Sequence, residues 1–127
     1  MSFPKLNLAL AVAALVAAAA PADAGEADVI AVDVVRTEPG VYRVDVTVRH
    51  DDTGWDHYAD KWDVMAPDGT LLGTRVLLHP HETEQPFTRS LGGVAIPESL
   101  DYVKVRAHDK VHGYGGKEMR FEMKDVK

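Results

Sequence analysis

Val41 to His50 reads VYRVDVTVRH, with Tyr42, Val44, Val46 and Val48 in one phase and Arg43, Asp45, Thr47 and Arg49 in the other. A period of two sends alternate side chains to opposite faces of an extended chain, so this segment is a half-buried strand with one wet face. The pattern returns twice. Val103, Val105 and Ala107 alternate with Lys104, Arg106 and His108, and Met119, Phe121 and Met123 alternate with Arg120, Glu122 and Lys124. Asp28–Arg36 (DVIAVDVVR) is β-branched and more evenly apolar, which predicts a better-covered strand.

Turn chemistry separates these runs. Glu38-Pro39-Gly40, Pro67-Asp68-Gly69-Thr70 and Pro97-Glu98-Ser99 each interrupt an apolar pattern with residues suited to reversal. Seven strands are predicted, at 28–36, 41–50, 61–66, 71–78, 87–96, 100–108 and 119–124. No helical period competes with them after residue 24. Seven short alternating strands predict an all-β fold, a single antiparallel β-sandwich of immunoglobulin-like type, with a small closed barrel as the other option.

The first 24 residues follow a different logic. Lys5 precedes a mostly apolar run (LNLALAVAALVAAAA), and Ala22-Asp23-Ala24 supplies an A-x-A ending. This predicts a signal peptide over 1–24, cut after Ala24, and an exported domain over 25–127. The apolar run is shorter than the ~20 residues needed to span a bilayer, so no membrane span is expected after cleavage. The predicted location is periplasmic or secreted.

Composition excludes several classes. Hydrophobic residues are 46% and charged residues 27% of the chain, which is ordinary for a folded domain and argues against wholesale disorder. A formal charge of −6 repels phosphate backbones, so no nucleic-acid partner is expected. With no cysteine, the chain offers no thiol nucleophile, cysteine-zinc site, blue-copper centre, iron–sulfur cluster or lipid-acceptor cysteine. No G-x-S-x-G elbow surrounds a serine, and nothing selects a catalytic acid–base pair. The balance leans away from an enzyme.

The six histidines are informative once strand direction is counted. With seven antiparallel strands in series, His50, His57, His79, His81, His108 and His112 all fall at one pole of the sandwich. Trp55, Tyr58, Glu82, Glu84, Asp109 and Tyr114 accompany them, whereas the opposite turns carry neither histidine nor tryptophan. Loops at one end of a rigid sandwich are a usual place for a binding site.

Three readings of this pole are open. In the first, His79, His81, His108 and His112 bind copper or zinc. His79-Pro80-His81 is an H-x-H pair whose rings point the same way in extended chain, and imidazole suits both metals. His50, His57, Glu82 and Asp109 are then additional ligands or orienting partners. In the second, the histidines only brace the loops. His50 best fits that role, since it continues the apolar phase of its strand. In the third, Trp55, Tyr58 and Tyr114 contact a protein partner or small ligand. The carboxylates of Asp51–Asp60 lack the spacing of a calcium loop, and Trp62, Met65, Met119 and Met123 are expected in the core.

The segments HDDTGWDHYADKWDV, LLGTRVLLHPH, QPFTRSL and VRAHDKVHGYGGKE resemble those of a small, uncharacterised family of secreted bacterial β-sandwich proteins. That resemblance implies a compartment and a fold, and no activity. In architecture alone the chain is also similar to periplasmic copper-resistance sandwiches. Their terminal-histidine copper brace is not expected here, because the processed chain would begin at Gly25. Copper–zinc superoxide dismutases share an H-x-H on a β-scaffold, but their cysteine pair is missing.

Overall fold

The computed structural model describes Gly25–Lys127. The predicted signal segment, 1–24, lies outside the described residues. The described chain forms seven strands: β1 (Asp28–Glu38), β2 (Val41–Arg49), β3 (Ala59–Met65), β4 (Leu71–Val76), β5 (Phe87–Ala95), β6 (Tyr102–Asp109) and β7 (Met119–Glu122). A short 3-10 turn, Met123–Asp125, follows. Three strands form one sheet in the order β1-β2-β5, and four form the other in the order β4-β3-β6-β7. All pairings are antiparallel. The expectation of seven antiparallel strands and an all-β sandwich is met.

The alternation of β2 is realised residue by residue. Tyr42, Val44, Val46 and Val48 are buried, while the intervening side chains face outward. They pack against Val103, Val105 and Ala107 of β6 and against Trp62 and Val64 of β3. Trp62 is wholly buried, Met65 is buried, and Met119 and Met123 pack at the margin of the core.

β1 departs from its expected setting. It is an edge strand, with a register shift between Val29 and Ala31. A bulge changes which phase faces inward. Val29 is buried before it and Val34 after it, so apolar residues are required in both phases. The even apolar run therefore records a bulge and not coverage on two faces.

The two open sides of the sandwich are closed differently. Beside β1, three backbone hydrogen bonds reach the C-terminal part of the chain: Val29 N to Lys117 O, Lys127 N to Val34 O, and Arg36 N to Lys127 O, at 2.9, 3.0 and 2.9 Å. Beside β4, the Arg75 guanidinium donates to the Ser90 carbonyl on β5 at 2.7 Å. Gly116 sits at the β1 closure. A Cβ there would lie 1.9 Å from the Ala27 carbonyl oxygen, and backbone cannot step aside as a flexible side chain can. This crossing holds Gly25–Asp28 against the β6–β7 connection.

Gly116→Ala is accordingly expected to cost about 1–3 kcal/mol or more through overpacking against backbone. Gly92→Ala, where a Cβ meets nothing within 4 Å, should be close to neutral. Urea unfolding of both variants checks this, and equal midpoints would contradict the crossing.

Candidate metal centre

The pole is built around two strand positions that continue the core-facing phase beyond the apolar core. His50 follows Val44, Val46 and Val48 by the same step of two, from the three-stranded sheet. Asp109 follows Val103, Val105 and Ala107 on β6, from the four-stranded sheet. Both therefore aim into the interior, at the same end, from opposite layers. Their side chains have no solvent exposure, and His50 Nε2 lies 3.8 Å from Asp109 Oδ2. His57, on the β2–β3 loop, closes the group. Its Nε2 is 3.2 Å from His50 Nε2 and 3.3 Å from Asp109 Oδ1. These three residues place one donor atom each within 4.8 Å of the others.

Two of the three donors are held from behind. His50 Nδ1 is hydrogen-bonded to Asp52 Oδ1, which leaves Nε2 facing the group. Asp52 Oδ1 also accepts from Ala59 N, closing the β2–β3 loop, and Asp52 Oδ2 accepts from His81 N on the β4–β5 loop. Gln85 completes the link: its Oε1 accepts from His50 N and its Nε2 donates to His81 O. Asp109 Oδ1 accepts from Val111 N and His112 N, folding the β6–β7 connection back on itself. Asp109 Oδ2 has no hydrogen-bond partner among the described residues although it is buried.

The electrostatics follow from this packing. Burial disfavours the charged form of His50. The Asp52 hydrogen bond, the Gly25 carbonyl and the Asp52 and Asp109 charges outweigh it and raise its pKa. Burial likewise opposes ionisation of Asp52 and Asp109. Hydrogen bonds from His50 and the His81 and Ala59 amides to Asp52, and from the His112 and Val111 amides to Asp109, still hold both carboxyls below the usual range. The group thus presents carboxylates that remain charged and an imidazole oriented by one of them.

A fourth participant is main chain. The Gly25 carbonyl oxygen lies 2.7 Å from His50 Nε2, 3.2 Å from His57 Nε2 and 3.0 Å from His112 Nδ1. One carbonyl oxygen has two lone pairs, so three ring donors cannot all be satisfied by it. His112 Nδ1 is also 3.4 Å from Asp109 Oδ1.

The other predicted ligands go elsewhere. His79 and His81 do lie side by side, with ring centroids 4.6 Å apart. His81 is buried and stacked on Phe87 at 4.0 Å, neither ring nitrogen has a hydrogen-bond partner among the described residues, and burial, with Arg89 and His79, lowers its pKa. His79 is exposed and bonds the neighbouring Pro80 carbonyl. His108 lies on the outward phase of β6, so it leaves the interior and pairs with Asp60 at 2.6 Å beside Tyr114. Of the tetrad His79, His81, His108 and His112, only His112 borders the group formed by His50, His57 and Asp109. Glu82 is exposed.

The predicted contact aromatics divide similarly. Trp55 is 64% exposed and meets Tyr58 edge-on. Tyr58 is itself buried. Tyr114 folds over the four-stranded sheet, donates to Asp63 Oδ2 at 2.8 Å and lies under the Arg106 guanidinium.

Among known proteins, the chain is 46% identical over 94 residues to a protein of Halomicrobium mukohataei described as "Putative lipoprotein". The match takes in 74% of this chain and spans 46% of that relative's length. No protein-family model matches the chain, and no solved structure does.

Asp52→Ala should destabilise the domain by about 3–5 kcal/mol, because it breaks a buried pair with His50 and strands two amide donors. Chemical denaturation measures this directly, and a loss under ~1 kcal/mol, the size of a surface ion pair, would show that the pole does not rest on this carboxylate.

Proposed function

We propose that this chain is an exported, immunoglobulin-like β-sandwich that binds a divalent transition metal, zinc or copper(II), at its histidine pole. It would serve there as a periplasmic carrier, buffer or accessory factor. The observation that carries the reading is the convergence of His50 Nε2, His57 Nε2 and an Asp109 carboxylate whose buried Oδ2 has no partner. Buried charge without compensation is costly, and a cation between these donors supplies the compensation.

The spacing suits an ion. Ring nitrogens 3.2 Å apart, each at the ~2.0–2.1 Å of a zinc–nitrogen bond, subtend about 99–106° at the metal, close to tetrahedral. The Asp52–His50 pair has the form of a carboxylate that fixes the tautomer of a ligating imidazole. A donor set of imidazole and carboxylate without sulfur favours zinc or copper(II) over cuprous ion.

Export is supported by the signal-like residues 1–24 and by the name of the Halomicrobium relative. No helix among the described residues is long and apolar enough to cross a membrane. The immunoglobulin-like reading is supported by the strand order, with the third and sixth strands central in one sheet and the second central in the other. A second reading, an interaction module for a protein or small ligand, is supported by the exposure of Trp55 beside the pole.

Zinc or copper(II) at 100 times its dissociation constant should stabilise the native domain by about 2.7 kcal/mol. His57→Ala and Asp109→Ala should abolish the gain, and His79→Ala and His108→Ala should retain it. Thermal unfolding with and without metal decides. A gain that survives loss of His57 but not of His79 would move the site to the H-x-H pair, and no gain with either metal would remove the proposal.

A further inference from the structure

The residue at the centre of the pole is Gly25, the first residue after the predicted cleavage point. Its carbonyl oxygen lies 2.7–3.2 Å from nitrogens of three imidazoles. Distances of this size separate neighbouring donors around a single ion as naturally as they separate hydrogen-bond partners. The position favours glycine. Its φ is +96°, and a Cβ would lie 2.5 Å from His112 Cε1 and 2.8 Å from His57 Cε1. The segment is pinned from behind by the Gly116 crossing and by Lys117 N, which donates to Asp28 Oδ1 at 2.7 Å. A cleft of about 210 Å³, lined by Gly25, Glu26, Asp28, Arg49, His50 and Asp51, adjoins it and gives the start of the chain room to turn.

We propose that removal of residues 1–24 completes the metal site, by making Gly25 a chelating ligand through its new α-amine and its carbonyl oxygen, with His112 Nδ1 beside it. The inference rests on the metal reading above. In the uncut chain the Gly25 nitrogen belongs to a peptide bond, and its lone pair is delocalised into the Ala24 carbonyl. Hydrolysis adds water across the Ala24–Gly25 bond: hydroxide goes to the Ala24 carbonyl carbon, giving a carboxylic acid that ionises, and a proton goes to the Gly25 nitrogen. The resulting amine carries a lone pair free to bind a metal, and it gives up a proton as it does so. Amine and carbonyl of one residue close a five-membered chelate ring, so two donors are added by one anchored residue. A signal peptidase would then act as the step that arms the site, and the metal would be loaded only after export.

Three forms separate the possibilities: the full 127-residue chain, the product cut after Ala24, and that product acetylated on Gly25. All seven strands lie within Gly25–Lys127, and matching unfolding temperatures without metal check that the cut and acetylated forms are equally folded. Each form is titrated with zinc(II) and copper(II), reading affinity and protons released per metal bound. The cut chain should bind at least about tenfold more tightly than the acetylated and full-length forms, as expected when a tethered donor is added, and should release more protons than the acetylated form. Equal affinity and equal proton release in the cut and acetylated forms, with binding still lost in His57→Ala, would overturn the role of Gly25 and leave the metal site standing. Absence of binding in all three forms would overturn both.

Discussion

The buried carboxylate of Asp52 is the interaction on which the pole depends. One side chain accepts from the His50 ring, from Ala59 N at the start of β3 and from His81 N on the β4–β5 loop. It thereby fixes one loop at both ends, joins a second to it and sets the direction of an imidazole. Such an anion is tolerated in the interior because its oxygens are fully engaged. Asp109 plays a related part for the β6–β7 connection, but only one of its oxygens is engaged. A carboxylate with both oxygens bonded and one with a single oxygen bonded thus stand within the same end of one sandwich.

The rest of the molecule is conventional by comparison. The core is valine-rich and continuous across both sheets, with Trp62, Phe87, Leu77 and Ile96 as its largest fully buried members. Burial of this kind supplies stability without direction. At the pole the same strands carry His50 and Asp109 in place of the next apolar residues. That exchange forgoes hydrophobic stabilisation and introduces desolvated charge, a local inconsistency of the kind that folds keep at functional sites.

Much of this was legible in the sequence because period two is a strict rule. The alternation of β2, β6 and β7 gave the strands, and the count of seven placed the histidines at one pole. The grouping of His50, His57 and Asp109 is less legible. His50 was visible as a continuation of the apolar phase, which suggested packing, and Asp109 continues the phase of Val103, Val105 and Ala107 in the same way. Two polar residues ending two inward phases was the available signal. The H-x-H spacing at His79 and His81 is the more conspicuous motif, but a shared direction says nothing about where a loop carries it. His108 sits on the outward phase by the same arithmetic that buries Asp109. The place of Gly25 is not legible, since no local pattern reveals that its carbonyl lies against three rings.

The unequal closure of the two sides gives the sandwich the mechanics of a bound book. Along the spine, beside β1, main chain is sewn to main chain at three points. Along the fore-edge, an arginine side chain reaches across to one carbonyl. A long side chain at the fore-edge can let go and rebind without disturbing either page, whereas the spine is backbone on both sides. The stitches nearest the pole, at Val29 and Lys117, lie close to the residues that hold Gly25. The firmer margin of this small domain is therefore the one beside its histidine pole.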